Sequence, residues 1–522
     1  MSNFTMWDYG ILILYFASMA ALGPLFAHKG KTTEGYFLGD RSFPGWLIGF
    51  SMFATSISSV TFMAYPADAF KTAWYRMTPN VMLPIAVFIA ALFFLPFFRR
   101  TRIVSAYEFL EVRFGPKTRL YAAVAFIISQ VIRVSLILFL VSVLFHEMTG
   151  LNVYYCILIG GLVTSFYTVL GGIQAVMWTD FIQSVVLWIG GLGTLYVALR
   201  AIPGGVGQVI SMASEAGKFS MMDLNAEGVL ETIQFSPDFT KKTISLFLLV
   251  GLGNWLAEYS SNQNVIQKYA SARDAKQARV AIWVCCLFSV PTWALFMFIG
   301  TTLWVFFQLL PTPEASAMLT GAAGAKAEQI LPYFIINYLP AGVSGLVIAA
   351  VLAAAMSSLS GSINATSAVS LVDVYKRHIA PDKTDRHYVL LAKGVGFAMS
   401  VLMLVGAALL QYLQSSTLQD SATILTALTA GGLLGIYLLG FFTKRGDDRS
   451  ILLGIAFTLI FSLWMVLSQL GWLPDILISP IHSYYAGMLG HILMFVIGYI
   501  FGIYFHKVTE FDQWEKNNPD LN

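Results

Sequence analysis

The sequence contains few charged residues, since lysine, arginine, aspartate and glutamate together make up only 11% of its 522 positions. An ordinary soluble domain carries roughly 25%. Hydrophobic residues make up 57%, more than a soluble fold of this length could bury while keeping a soluble surface. The composition therefore excludes a cytoplasmic enzyme, a nucleic-acid-binding protein and a secreted disulfide scaffold. It indicates a chain surrounded largely by lipid.

Cysteine and histidine are also scarce and are not grouped. Cys156, Cys285 and Cys286 lie in apolar runs without the spacing of metal ligands, which is typical of packing residues. The seven histidines are scattered and form no paired metal motif. A net charge of +3 provides no large basic or acidic field for a polymeric partner. We therefore expect no nucleic acid and no transition metal.

Apolar runs long enough to cross a bilayer recur along the whole chain. A transmembrane helix needs about 20 mostly apolar residues. The runs that meet this requirement are 9–26, 43–64, 81–98, 120–148, 153–171, 181–198, 244–261, 280–309, 341–372, 388–413, 424–442, 451–473 and 485–505. They predict an all-α polytopic membrane protein with about 13 transmembrane helices and with its termini on opposite sides of the membrane.

The distribution of basic residues predicts the orientation. Of the 31 lysines and arginines, 23 fall in one set of alternate loops, seven fall in the other set, and Arg133 alone lies inside a span. Because cytoplasmic loops carry the excess of Lys and Arg, we expect the N-terminus outside and the C-terminus in the cytoplasm. The first span lacks the basic start of a signal peptide, so we expect it to remain in the mature protein.

Two spans contain polar segments that are unfavourable in lipid unless they line a cavity or bind a ligand. The first runs from Gly49 to Thr61 and includes six hydroxyl side chains. The second runs from Ala353 to Asn364 and is rich in small and hydroxyl-bearing residues. Close helix packing would explain one such segment. The pair favours a site for a monovalent cation, built from hydroxyls and from the carbonyls of broken helices.

Charged residues in or beside the spans are further functional candidates. Asp180 lies at the entrance of its predicted span, where a solvated helix N-terminus is an equal alternative. Arg133 lies deep in its span and needs a carboxylate, carbonyls or a substrate anion as partner. Glu258 is the obvious internal partner, so a structural Arg133–Glu258 pair stays open beside a role of both residues, Arg133 and Glu258, in substrate binding.

Five motifs that occur in order resemble those of the sodium/solute symporter family. They are FATSISS at 53–59, SAYEFLEVRF at 105–114, GGIQAVMWTD at 171–180, NQNVIQKY at 262–269 and AAAMSS at 353–358. The resemblance covers nearly the whole chain and implies a LeuT-like core of two inverted five-helix repeats. These would be 43–200 and 244–442, with one helix before them in 1–42, an extracellular loop at 201–243, and two accessory helices and a cytoplasmic tail in 443–522.

The resemblance also implies the sodium ligands of this chain. The positions that match the family's sodium site are the carbonyls of Ala54, Ile57 and Ala354 and the hydroxyls of Ser357 and Ser358. Some members bind a second sodium ion, and Asp180, Ser357 and Ser360 match that site. Gly361 stands where the pattern has another serine.

In its substrate positions the chain most resembles the bacterial sialic acid symporters of this family. In these proteins an arginine at the position of Arg133 holds the carboxylate of the sugar. The other matching positions carry hydroxyl and amide groups suited to a polyol acid, and they are Ser56, Ser58, Thr61 and Asn80. Arg76, which replaces an aromatic position near the outer entrance, and Glu258, near a gate residue, depart from the pattern.

We therefore expect a sodium-coupled secondary active symporter, and not an enzyme, that imports a carboxylated sugar such as sialic acid by alternating access. A neutral sugar, another monocarboxylate and an amino acid are alternatives within this class. A solute-gated channel or sensor is an alternative from a different class, although polarity is concentrated at one depth and we expect no signalling domain in the short tail 507–522. The expected partners are the solute, sodium and membrane lipid, for a monomer in the inner (plasma) membrane.

Overall fold

The computed structural model describes residues 4–100, 104–225, 229–321, 326–413 and 432–505. Within these ranges the chain is almost entirely helical, and the two strands form a short antiparallel hairpin of β1 (Met222–Leu224) and β2 (Leu230–Thr232). The hairpin lies in the long polar segment that the sequence places outside the membrane.

The α-helices are numbered in chain order. The first ten are α1 (Met6–Phe26), α2 (Thr33–Leu38), α3 (Gly45–Ser56), α4 (Ser59–Lys71), α5 (Leu83–Leu92), α6 (Phe94–Arg100), α7 (Glu108–Arg113), α8 (Pro116–Thr149), α9 (Val153–Ala201) and α10 (Gly205–Glu215). The others are α11 (Ile244–Ser261), α12 (Gln263–Ala270), α13 (Ala275–Leu309), α14 (Pro313–Thr320), α15 (Ile330–Tyr338), α16 (Val343–Val369), α17 (Asp385–Leu413), α18 (Leu433–Phe442), α19 (Asp448–Gln469) and α20 (Ala486–Phe501). A π-helical stretch, Ser370–Ile379, continues α16.

Nine helical segments of the described ranges are long and apolar enough to cross a membrane, and the bent pair α3 and α4 makes a tenth. The predicted spans 153–171 and 181–198 both lie in α9. The first part of the predicted span 424–442, residues 424–431, lies outside the described residues, and the rest is seen as α18. The helical membrane architecture is as predicted, whereas the count of 13 spans is not confirmed.

Gly172 divides the 49-residue helix α9 into two parts. Its backbone has a φ of 56° and a ψ of −149°, and a Cβ at this position would lie 2.7 Å from the carbonyl oxygen of Tyr36. Only glycine adopts such a conformation readily. The second part of α9 therefore begins just after Gly172 and not at Phe181. Asp180 lies inside this helix and is fully buried, so its predicted place at a span entrance was wrong.

The first polar segment breaks its helix. α3 ends at Ser56, Ile57 has an extended backbone with a φ of −92° and a ψ of 100°, and Ser58 is the N-cap of α4. The two helices are bent by 57° relative to each other. The prediction of a broken helix is therefore correct here.

The second polar segment does not break its helix. α16 is continuous through Ala353 to Asn364, and these residues are buried. Its hydroxyls bond to carbonyls of their own helix, as Ser358 does to Ala354 at 3.3 Å, which lets serines sit inside a continuous helix. The prediction of a second broken helix was wrong for this reason.

α16 lies at the centre of the molecule, where it packs against α1, α3, α8, α9 and α17. α13 packs along both α3 and α4, and Gly45 and Gly49 permit this close approach. A Cβ on Gly45 would lie 2.3 Å from the carbonyl oxygen of Gln277. This packing holds the broken pair α3 and α4 beside the middle of α16.

Candidate ion and solute site

The end of α3 meets the middle of α16 at a cluster of hydroxyl and carbonyl oxygens. The hydroxyl of Ser357 donates to the carbonyl of Ala54 at 2.8 Å and lies 3.1 Å from that of Ala354. The hydroxyl of Ser358 lies 3.3 Å from the same Ala354 carbonyl. The structure therefore brings four of the five predicted sodium ligands together.

Ile57, the fifth predicted ligand, is the first residue beyond α3, and its side chain is fully buried. A helix leaves its last four carbonyls without amide partners of their own helix. The break thus presents carbonyl oxygens of the last turn of α3 next to Ser357. Neutral oxygen ligands from the broken helix α3 and from the adjacent helix α16 are suited to bind a small monovalent cation.

Asp180 lies in a second polar cluster and is bonded to an ammonium that the sequence analysis missed. Its Oδ2 accepts from the hydroxyl of Ser51 at 2.6 Å and from Nζ of Lys268 at 2.9 Å. Its Oδ1 accepts from the hydroxyl of Ser360 at 3.3 Å. Lys268 Nζ donates further to the carbonyl of Ser51 at 2.9 Å and to the hydroxyl of Thr55. The predicted second sodium ligands Asp180 and Ser360 are therefore together, with a lysine among them.

Lys268 was counted among the cytoplasmic loop charges, but it is only 2% exposed. α12, which carries it, follows α11 after a break at Asn262. A signal for its burial is present in the sequence, because Asn264, Gln267 and Lys268 have the i, i+3, i+4 spacing of one helix face. All three side chains bond to the core of the molecule.

Gln130 connects α8 to the same region. Its Oε1 accepts from Asn264 on α12 and from Ser362 on α16, both at 2.9 Å. Arg133 lies three residues further along α8 and so close to the same helix face. Its side chain is partly exposed and has no hydrogen bond or ion pair with any residue that the structure describes.

Glu258, the alternative partner of Arg133, is hydrogen-bonded to a residue of its own segment. Its Oε2 accepts from the amide of Asn262 at 2.8 Å. Within the described ranges the Arg133–Glu258 pair is not formed. The guanidinium of Arg133 is thus open to another anion.

The remaining predicted substrate positions lie around the break between α3 and α4. Ser56 and Ser58 are partly exposed, whereas Thr61 and Asn80 are buried. Asn80 donates through its amide to the hydroxyl of Tyr65 on α4. α8 packs against both α4 and α16, so the helix that carries Arg133 borders this region.

The C-terminal end of α4 is fixed by two basic residues. Lys218, itself buried, donates to the carbonyls of Phe70 at 2.7 Å and of Thr72 at 2.9 Å. Arg76 pairs with Asp68 and so binds the turn Trp74–Met77 to α4. Arg76, which differs from the residue expected from the family pattern, is therefore part of an ion pair at the C-terminal end of α4.

Comparisons with known protein families and sequences show which proteins this chain is similar to. The model of the "Sodium:solute symporter family" matches residues 36–457. The sodium/sialic acid symporter NanT of Aliivibrio fischeri is 27% identical over 498 residues, covering 95% of this chain and 93% of NanT. The sodium/sialic acid symporter SiaT of Proteus mirabilis is 30% identical over 458 residues, covering 88% and 89%. The human sodium/iodide cotransporter is 29% identical over 485 residues, covering 91% and 71%.

Solved structures give the same result for the fold. A Na+-coupled sialic acid symporter in a substrate-bound outward-open state, described as revealing a novel Na+ site, superposes with a TM-score of 0.85. It is 28% identical, and the match covers 97% of this chain and 99% of that one. Mhp1, a nucleobase-cation-symport-1 family transporter, matches over 93% and 98% with a TM-score of 0.54 at 14% identity, which shows a shared fold alone.

Proposed function

This chain belongs to the sodium:solute symporter family, and on that premise we propose that it imports a carboxylated sugar, such as a sialic acid, together with sodium. Membership makes it a multi-pass membrane transporter with a LeuT-type helical fold, and not an enzyme. The observation that carries the choice of solute is Arg133. A guanidinium deep in a membrane helix needs an anionic partner, and no described residue supplies one.

Overall identity alone does not select the solute. The sialic acid symporters and the iodide cotransporter are nearly equally similar to this chain, at 27% to 30%. The argument therefore rests on the residues themselves. Arg133 offers a bidentate site for a carboxylate, and Ser56, Ser58, Thr61 and Asn80 offer hydroxyl and amide groups for a polyol.

We assign the sodium site to the carbonyls of Ala54, Ile57 and Ala354 and to the hydroxyls of Ser357 and Ser358. The Ser357–Ala54 contact already connects the two helices that would share the ion. A sodium ion here would stabilise the bent form of α3 and α4, the pair that carries the solute positions. Two ligands that favour the same conformation must raise each other's affinity equally.

The division into two inverted repeats, 43–200 and 244–442, is supported by a second broken helix. The first repeat begins with α3 and α4, broken at Ile57, and the second begins with α11 and α12, broken at Asn262. The φ and ψ of Ile57 are −92° and 100°, and those of Asn262 are −88° and 114°. Matching breaks at matching places are expected of two copies of one helical unit.

For the remaining features we keep the assignments made from the sequence. We propose a monomer in the lipid of the inner membrane, with the N-terminus outside and the C-terminus in the cytoplasm. On this orientation sodium and solute bind from outside, the bundle rocks, and both ligands leave towards the cytoplasm.

Uptake into proteoliposomes of the purified protein tests this function. With radiolabelled sialic acid outside, an inward sodium gradient is expected to drive accumulation, and an equal potassium gradient is not. Excess unlabelled sialic acid should compete, whereas galactose, proline and lactate should not. Sodium-driven uptake of one of those three instead of sialic acid would overturn the substrate class. A sodium current far larger than solute uptake would indicate a channel and would overturn symport itself.

A further inference from the structure

We propose that the ammonium of Lys268 permanently takes the place of a second sodium ion, so that this transporter carries one sodium ion per solute. The inference rests on the proposed sodium-coupled function. It differs from the expectation drawn from the resemblance, in which Asp180, Ser357, Ser360 and Gly361 mark a second sodium site.

The hydrogen-bond donors of the ammonium are fully used inside the protein. Its three protons face the carboxylate of Asp180, the carbonyl of Ser51 and the hydroxyl of Thr55. These are oxygen ligands of the kind that a sodium ion would take. The Lys268 side chain is 2% exposed and Asp180 is fully buried, so water does not replace these contacts.

The charges in the cluster already balance. Asp180 supplies one negative charge and Lys268 one positive charge at 2.9 Å. A sodium ion bound to Asp180 would lie within a few ångströms of the ammonium, and repulsion between like charges is strong in a buried site. The residues present therefore do not fit a second sodium ion while Lys268 is in place.

The cluster is close to the assigned sodium site but separate from it. Ser51 precedes Ala54 by about one helical turn on α3, and Ser360 follows Ser357 by about one turn on α16. Both steps lead towards the side that we assign to the cytoplasm. The lysine thus leaves the oxygens of the assigned sodium site free.

Gly361 fits this arrangement. A Cβ at this position would lie 3.5 Å from the hydroxyl oxygen of Thr55 and 3.8 Å from Nζ of Lys268, both ordinary contact distances. A serine could therefore be accommodated there without a clash. The family pattern has a serine hydroxyl at this position. In this chain the hydroxyl is absent, and the ammonium of Lys268 already has three acceptors.

The wild-type protein gives the first test. Simultaneous uptake of 22Na+ and radiolabelled sialic acid is expected to give a flux ratio of one. The melting temperature, measured without solute at increasing sodium concentration, is expected to follow a binding curve with a Hill coefficient of one. A flux ratio of two in the wild-type protein overturns the inference but leaves sodium symport intact. Absence of any sodium-driven uptake overturns the proposed function, and the inference with it.

Two variants give the second test. In the double variant Lys268→Met with Gly361→Ser, the ammonium is removed, Asp180 is freed and the missing hydroxyl is restored. The flux ratio is expected to rise from one towards two, with a Hill coefficient above one. The matched control Lys268→Arg keeps the charge and should keep a ratio of one. A folded double variant with an unchanged ratio contradicts the inference, and if it does not fold, the wild-type ratio still decides.

Discussion

Ser357 connects the two helices of the assigned sodium site through a single hydroxyl, which reaches carbonyls on both α3 and α16. Ser357→Ala removes one of the assigned sodium ligands, and a hydrogen-bonding group of this kind contributes about 0.5–1.5 kcal/mol. The sodium concentration for half-maximal uptake is therefore expected to rise about threefold to tenfold.

Ser400→Ala is the matched control for that variant. Ser400 is equally buried, but it lies on α17 and its hydroxyl bonds back to Gly396 at 2.8 Å. Its sodium dependence should remain that of the wild-type protein. Equal sodium dependence in Ser357→Ala and Ser400→Ala would show that Ser357 is not a ligand.

Arg133 provides the corresponding prediction for the solute. Removing a charged partner of a carboxylate loses about 1.5–3 kcal/mol. Arg133→Gln is therefore expected to weaken sialic acid binding at saturating sodium by roughly tenfold to hundredfold, measured by isothermal titration calorimetry. The sodium-induced shift in melting temperature should persist. Glu258→Gln, whose carboxylate bonds to Asn262, should bind sialic acid normally, and unchanged binding in Arg133→Gln would remove its carboxylate role.

The candidate site was only partly predictable from single residues. Hydroxyls and an arginine inside apolar runs are conspicuous because lipid penalises them. Lys268 does not lie inside an apolar run, so it resembles one more charge of a cytoplasmic loop, and only its spacing with Asn264 and Gln267 indicates burial. Its burial depends on the break at Asn262, which redirects α12 into the core, and that break has no marker in hydrophobicity.

At the scale of helices, close packing of α11 supports the solute region. Gly251 on α11 faces the turn that carries Asn80, and a Cβ there would lie 2.2 Å from the carbonyl oxygen of Pro79. Gly251→Ala is expected to force these elements apart and to lower the free energy of unfolding by about 1–3 kcal/mol. A lower melting temperature and weaker sialic acid binding should follow.

Gly253→Ala serves as its control on the same helix. A Cβ on Gly253 would meet no atom within 4 Å. Alanine also favours a helix over glycine, so the melting temperature should stay the same or rise slightly. If the two variants melted at one temperature, the packing argument would fail.

A buried arginine joins α7, α8 and the π-helical stretch that continues α16. Arg119 donates to Asp373 and to Glu111, each at 2.7 Å. Burial raises the pKa of Glu111, but hydrogen bonds from Arg377 and Arg119 outweigh it and hold that pKa below its usual value. Glu111 is therefore charged at neutral pH.

Arg119→Met would leave the fully buried Asp373 without its cation and is expected to lower the free energy of unfolding by about 3–5 kcal/mol. Arg377, whose side chain is 49% exposed, also pairs with Glu111. Arg377→Met should therefore lower it by only about 0–1 kcal/mol. Chemical denaturation in detergent compares the two, and similar losses would contradict a structural role for the buried pair.

Helices were predicted from the sequence more readily than their interruptions. Apolar runs alone located nearly every long helix, because a helix that crosses the bilayer needs about 20 mostly apolar residues. The predicted span 153–171 ends next to the break at Gly172, whereas the start of the second part of α9 was placed at Phe181 instead of just after the break. α16 was wrongly predicted to break because polarity was taken as a sign of irregular backbone, whereas its serines bond within the helix.

At the scale of the whole molecule, one sodium ion and one monoanionic solute would move no net charge. An imposed membrane potential should then leave wild-type uptake of sialic acid unchanged at a fixed sodium gradient. In the Lys268→Met and Gly361→Ser double variant a second sodium ion would add one charge per cycle. An inside-negative potential of 100 mV should then raise accumulation by up to about fiftyfold. Valinomycin with a potassium gradient imposes the potential, and a voltage response in the wild-type protein would contradict one-to-one coupling.

The continuity of α16 beside the bend of α3 and α4 has a mechanical consequence. A continuous, buried helix moves as one unit, whereas a helix interrupted at Ile57 can change its angle at the break. The oxygens from α16 should therefore keep their mutual spacing throughout the cycle, and those from α3 should move away from them. A sodium ion at the assigned site would hold the end of α3 against α16, and its affinity should fall as the angle between α3 and α4 changes.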